Sequence, residues 1–217
     1  MKIQSLLLSC SLLWLSFIAA SYADEANIVI LATGGTIAGS AETQTQAGYS
    51  SGQVGVDTLL AAVPQLGDLA NVSGEQVANV GSQDMNDEIW LKLARRVNEL
   101  AASSEVDGIV ITHGTDTIEE TAYFLNLSLK IDKPVVVTGA QRPASGLSTD
   151  AAMNLVNASR VAGCPEARGL GVLVVLNDEI QAAREVSKTS TFRMQTFRTP
   201  DFGVLGQADP DKVAFYR

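Results

Sequence analysis

Four short segments hold side chains that could do chemistry. They are Thr33-Gly34-Gly35-Thr36-Ile37-Ala38-Gly39, Gly81-Ser82-Gln83-Asp84-Met85, His113-Gly114-Thr115-Asp116-Thr117 and Ala183-Arg184-Glu185-Val186-Ser187-Lys188. Their common currency is the hydroxyl. A threonine hydroxyl is a weak nucleophile at its free pKa and needs a neighbouring base, or a lysine or tyrosine relay, to take its proton. Lys188 beside Asp116 would form a charge pair able to polarise Thr115, and Thr36 offers a second hydroxyl after a glycine. Gly34, Gly35, Gly114 and Gly139 allow backbone N–H groups to approach a ligand closely, as an oxyanion hole requires. This set suits acyl transfer at an amide. Asp116 could instead grip a substrate ammonium, which points to an amino acid. Taken singly, the same residues also read as a structural ion pair and as helix-capping threonines.

Other chemistries are excluded by what is missing. The P-loop pattern is absent, and Gly34-Gly35-x-x-x-Gly39 is not the dinucleotide fingerprint. His113 is the only histidine and opens a tight loop, so it reads as structural or substrate-lining rather than as a triad base. With one histidine, and Cys10 and Cys164 as the only thiols, zinc and iron–sulfur sites are not expected. The formal charge of −9 disfavours nucleic acid and anionic membranes as partners and leaves a small molecule.

The elements that must position these groups are legible as alternation. Val- and Ile-rich apolar runs at 28–32, 77–80, 108–112, 134–138 and 171–176 predict buried parallel strands. Segments 87–102, 117–129 and 149–162 carry helical periodicity. The expected fold is α/β, a doubly wound, mainly parallel sheet flanked by helices. The loops after the five strands, including Gly139-Ala140-Gln141-Arg142 and Asn177-Asp178, should converge at the carboxyl edge, where open α/β sheets bind ligands.

The chain opens with a basic Lys2, an apolar run over 6–20 and small residues at 21–23. That is the pattern of a secretory signal peptide (residues 1–23) cleaved after Ala23, which predicts a periplasmic protein with no membrane segment after cleavage. Cys164 would then be the sole remaining cysteine, so no intrachain disulfide is expected.

The Thr33–Gly39 and His113–Thr117 segments resemble the two signature motifs of bacterial-type L-asparaginases, and the segments at 81–85 and 183–189 resemble that family in order and spacing. The signal peptide favours the secreted, type II branch. The resemblance runs from about residue 26 to the end. It implies Thr36 as the primary nucleophile, with Tyr49 on the following loop activating it. Gly48, Ser50-Ser51 and Gly52 around Tyr49 suit a mobile lid. Thr115, Asp116 and Lys188 are implied as a second catalytic cluster. Gly35, Ser82, Gln83, Thr115, Asp116 and Ala140 are implied as substrate contacts, Ser82 and Gln83 for the α-carboxylate and α-amino groups. The implied reaction takes L-asparagine and water to L-aspartate and ammonia through an acyl-threonine intermediate, and the resemblance implies no cofactor.

Family members have two domains and assemble as tetramers, with a glutamate from the smaller C-terminal domain reaching a neighbouring subunit's site. Residues 24–217 are expected to be the N-terminal domain alone, with the C-terminal domain absent and activity and tetramer formation impaired. A glutaminase–asparaginase, a non-catalytic binder of acidic amino acids and a nucleotide-binding module are the competing readings.

Overall fold

The computed structural model describes residues 25–45 and 48–217. The expected signal peptide lies outside them. Five strands form the parallel body of the sheet: β1 (Asn27–Gly34), β2 (Asn71–Val80), β3 (Gly108–Thr112), β4 (Val135–Thr138) and β5 (Val172–Leu176). Their spatial order is β5-β4-β3-β1-β2, so the winding direction reverses between β1 and β3. Helix α1 (Val56–Ala61) links β1 to β2, α2 (Asp87–Ala102) links β2 to β3, α3 (Ile118–Ser128) links β3 to β4, and α4 (Ala151–Ala162) links β4 to β5.

The central strands β3, β4 and β5 and most of β1 are apolar because both faces are covered. Successive side chains alternate between the faces. Ile28, Ile30, Val110, Val136 and Leu173 pack with α1 and α4 on one side. Val29, Leu31, Ile109, Ile111, Val135 and Val137 pack with α2 and α3 on the other. The doubly wound, mainly parallel reading of the sequence therefore holds. Helix α2 begins where the Asn86 side chain accepts a hydrogen bond from Ile89 N, with Asp87 and Glu88 in its first turn.

Three features depart from the sequence reading. First, β2 is an edge strand that starts six residues before the apolar run at 77–80. Its first half, Asn71 to Gln76, is polar because only one neighbour covers it. Second, β5 turns straight back into an antiparallel strand, β6 (Glu179–Ala182), through Asn177 and Asp178 at φ 51° and 64°. That positive-φ pair makes a two-residue hairpin. Further antiparallel strands, β9 (Gly206–Ala208) and β10 (Val213–Phe215), complete a mixed sheet of eight. Third, Lys188 does not arrive on a loop directly following β5. Ala182 pairs with Leu173 near the start of β5, so β6 ends at the opposite edge and the chain must climb back. It does so into a small hairpin, β7 (Ser187–Lys188) with β8 (Phe197–Arg198). Val186 and Phe197, both buried in the core on the α2/α3 side, fasten that hairpin to the body.

Candidate active site

The point where the winding reverses opens a crevice between the loops after β1 and β3. Those loops carry Thr36 and Thr115. They touch backbone to backbone. Gly35 sits at φ 79°, and a Cβ there would lie 2.3 Å from Gly114 N and 2.4 Å from Gly114 Cα. A Cβ on Gly114 would in turn meet the Ser82 Cβ at 2.6 Å. Three loops from three βα units thus stack closely, backbone on backbone at Gly35 and Gly114 and with the Ser82 side chain against Gly114. The Gly35 N–H itself donates to the Val80 carbonyl at 2.9 Å. In this structure the Gly35 amide is thus engaged within the fold, and the residue acts as a spacer between the loops.

Thr36 opens a 3-10 turn, Thr36–Ala38, and is buried. Its Oγ1 lies 2.5 Å from the Tyr49 hydroxyl, a short contact in which either oxygen can donate. The Tyr49 ring approaches the Gly39 backbone so closely that a Cβ there would be 3.0 Å from Tyr49 Cδ2. The loop is tied at its base. Ser40 and Ser50 exchange two backbone hydrogen bonds of 3.0 Å, and Gln53 N and Val54 N both donate to Ala38 O. On the outward side, Ala41 N donates to Ser145 Oγ and Leu147 N donates to Gln44 O, each at 2.8 Å.

The second hydroxyl, Thr115, is buried and accepts a 2.9 Å hydrogen bond from Lys188 Nζ. The same ammonium donates to Asp116 Oδ1 at 2.6 Å. The pair is asymmetric: 12% of the Lys188 side chain is exposed against 64% of Asp116. Such a pair stabilises the fold little, since solvent screens the open carboxylate. Its geometric effect is to place a cation against a threonine oxygen. Asp116 N donates to Ser82 Oγ at 3.3 Å, and Thr117 Oγ1 donates to Ser82 O at 2.8 Å. Ser82 is thus drawn into the same cluster. Gln83 is not: it is exposed and its amide donates to Asp84. Ala140 is fully buried, while its neighbours Gln141 and Arg142 line the cleft.

His113 is fully buried and its hydrogen bonds fix its tautomer. Nδ1 lies 2.8 Å from the Gly114 carbonyl, which can only accept, so Nδ1 carries the proton. Nε2 then accepts from Thr121 Oγ1 at 2.8 Å, and Thr121 accepts from Trp90 Nε1 at 2.8 Å. Burial lowers the imidazole pKa from 6.5 to about 4, with the Gly114 carbonyl opposing the shift. His113 is a neutral strut behind the Thr115 loop, in keeping with the structural reading of it.

Sequence reasoning missed the groups that hold these loops. Asp150, at the start of α4, accepts from Gln141 N (2.9 Å) and Arg142 N (3.0 Å). Buried Asn154 donates to Gly139 O and accepts from Asn177 N, joining the loops after β4 and β5. Glu119, in the first turn of α3, accepts from Ser187 Oγ at 3.1 Å and from the backbone N–H of Lys188. An acid in a helical first turn reads as a dipole partner, so nothing marked Glu119 beforehand.

Together the loops enclose a cleft of about 580 Å³ whose walls include Tyr49, Thr115, Asp116, Gln141 and Lys188. Thr36 lies beneath Tyr49. Among the described residues no three His, Cys, Asp or Glu side chains gather as a metal site.

Fold and site define an α/β protein with two buried threonine hydroxyls at the carboxyl edge of a doubly wound sheet, one against a tyrosine and one against a lysine. Residues 27–217 match the family model described as Asparaginase, N-terminal, and the chain belongs to the asparaginase family. It is 52% identical over 217 residues to the Haemophilus influenzae protein named "Probable L-asparaginase periplasmic", covering 100% of this chain and 61% of that one. It is 53% identical over 193 residues to the glutaminase-asparaginase of Pseudomonas fluorescens biotype A, covering 88% of this chain and 53% of that one. The solved structure titled "Crystal Structure of Probable Cytoplasmic L-asparaginase from Campylobacter jejuni" superposes with a TM-score of 0.87 at 50% identity, over 89% of this chain and 59% of that one. The chain thus spans between half and two thirds of the length of each of these proteins.

Proposed function

We propose that residues 24–217 form the nucleophile-bearing domain of an amidohydrolase that converts L-asparagine and water to L-aspartate and ammonia. The observation that carries this reading is the 2.5 Å contact between Thr36 Oγ1 and the Tyr49 hydroxyl, set beside the Thr115–Lys188–Asp116 cluster. In this reading Thr36 attacks the side-chain amide carbon, and its proton leaves through Tyr49. The C–N bond breaks, ammonia departs with that proton, and an aspartyl ester of Thr36 remains. Water then cleaves the ester and restores the hydroxyl. Lys188 holds Thr115 and Asp116 so that the second hydroxyl can orient water or the leaving amine. Ser82 and Asp116 take the α-carboxylate and α-amino ends, and Gln83 joins them on substrate binding. Relatives bear both asparaginase and glutaminase-asparaginase names, so glutamine is the second substrate to try.

The apolar leader at 1–23 and the periplasmic name of one relative support a periplasmic location. The structural neighbour carries a cytoplasmic name, so cell fractionation decides. Assembly as a homo-oligomer completes the proposal, and light scattering reports it.

The test is ammonia release from L-asparagine by the purified chain. Thr36→Ala should abolish it, and Tyr49→Phe should lower kcat by about 10²- to 10⁴-fold, the range of a lost acid–base group. Release that survives Thr36→Ala but not Thr115→Ala would move the nucleophile to Thr115. Tight L-aspartate binding with no release would make the chain a binder.

A further inference from the structure

We infer that Glu119 is a positioning residue that sets Lys188 against Thr115; this rests on the proposed amidohydrolase reading only for its effect on turnover. Lys188 lies in a two-residue strand of a small hairpin, with little regular structure to fix it. Its ammonium must nevertheless bridge Thr115 Oγ1 and Asp116 Oδ1. Glu119 supplies the fixing. One carboxylate oxygen accepts from the Lys188 backbone N–H and the other from Ser187 Oγ. Glu119 stands three residues after Asp116, at the head of α3 (Ile118–Ser128). One short stretch of chain, 115–119, therefore grips Lys188 at both ends, its ammonium and its peptide. That makes the ammonium's place a property of the α3 start rather than of the hairpin.

The role is geometric, so a carboxamide of the same length should serve nearly as well as the carboxylate. In Glu119→Gln, the amide oxygen accepts from the Lys188 N–H, and the amide nitrogen donates to Ser187 Oγ once that hydroxyl rotates. Glu119→Ala has neither bond.

The experiment has two readouts on the full chain. The first is acetylation of Lys188 by acetic anhydride, followed by peptide mass mapping, with exposed Lys130 as internal reference. It needs no turnover. Loss of one charge-assisted hydrogen bond corresponds to about a tenfold change or more. Glu119→Ala should raise the Lys188:Lys130 rate ratio by about that factor, and Glu119→Gln should recover most of it. The second readout is kcat and KM for ammonia release. Glu119→Ala should lower kcat about tenfold with KM changed far less, and the drop should vanish in a Lys188→Met background. Should alanine fail to fold, Glu119→Asp, one methylene too short to reach both partners, replaces it. Absence of any ammonia release from the wild type would sink the amidohydrolase reading and leave the acetylation ratio to decide on Glu119. An unchanged ratio in folded Glu119→Ala, or equal kcat losses with and without Lys188, would overturn the inference.

Discussion

Lowering the pH from 7 to 5 should destabilise this fold through one residue. His113 is the only histidine in the chain. Burial holds its pKa at about 4 in the folded state against 6.5 when free. The unfolded chain therefore takes up a proton between these values while the folded chain does not. A basic group with a depressed folded pKa favours the native state fully above pH 6.5, and this advantage is lost as the pH falls towards about 4. Integrated over the interval, the loss is about 2 kcal/mol between pH 7 and pH 5, rising to about 3 kcal/mol by pH 4. Glu75 and Glu185, whose pKa values are lowered by Arg96 and Arg217, contribute their own losses as the pH falls through the usual carboxylate value of 4.5 and below. The window from pH 5 to 7 isolates the histidine. Urea unfolding at half-unit steps gives the slope, and the imidazole Hε1 resonance gives the pKa directly. The His113→Asn variant keeps a donor towards Gly114 but cannot titrate, so its stability should be flat over this window. A resonance titrating near 6.5 in the folded protein, or the same slope in His113→Asn, would refute the argument.

Two further outcomes follow from the loop contacts. Gly35→Ala would place a methyl within 2.4 Å of the Gly114 backbone at φ 79°; it should cost more than about 4 kcal/mol or prevent soluble expression, as thermal melting against wild type will show. Asp150→Ala removes the acceptor for Gln141 N and Arg142 N; a loss of about 2–4 kcal/mol in stability is expected, with weakened L-aspartate affinity by calorimetry, and an unchanged affinity would separate this loop from ligand binding.

What the sequence made legible follows from burial. Strands covered on both faces must be apolar at every position, so the central strands stand out as Val/Ile runs. Edge strand β2 has polar residues over Asn71 to Gln76, and β9 and β10 have three residues each. Neither pattern rises above a loop. Hydroxyls and glycines after strands were readable because few side chains do their chemistry. Glu119, Asp150 and Asn154 were not, since each acts on backbone groups of another loop. Which backbone amide a carboxylate will meet is decided only by the tertiary path, such as the return of the chain from Ala182 to Lys188.

The stacking of Gly35 on Gly114, and of Gly114 on Ser82, bears on when the site comes into being. Strand β1 is synthesised first, yet its neighbours in the sheet are β2 and β3, whose loops form the other layers of that stack. Closing such distant loops is slow relative to local helix formation. A nascent chain that has made Thr36 and Tyr49 therefore holds these side chains without their setting until β3 has docked. The cleft is a late product of folding, and a chain opened locally at β3 loses the setting before it loses most of its helices.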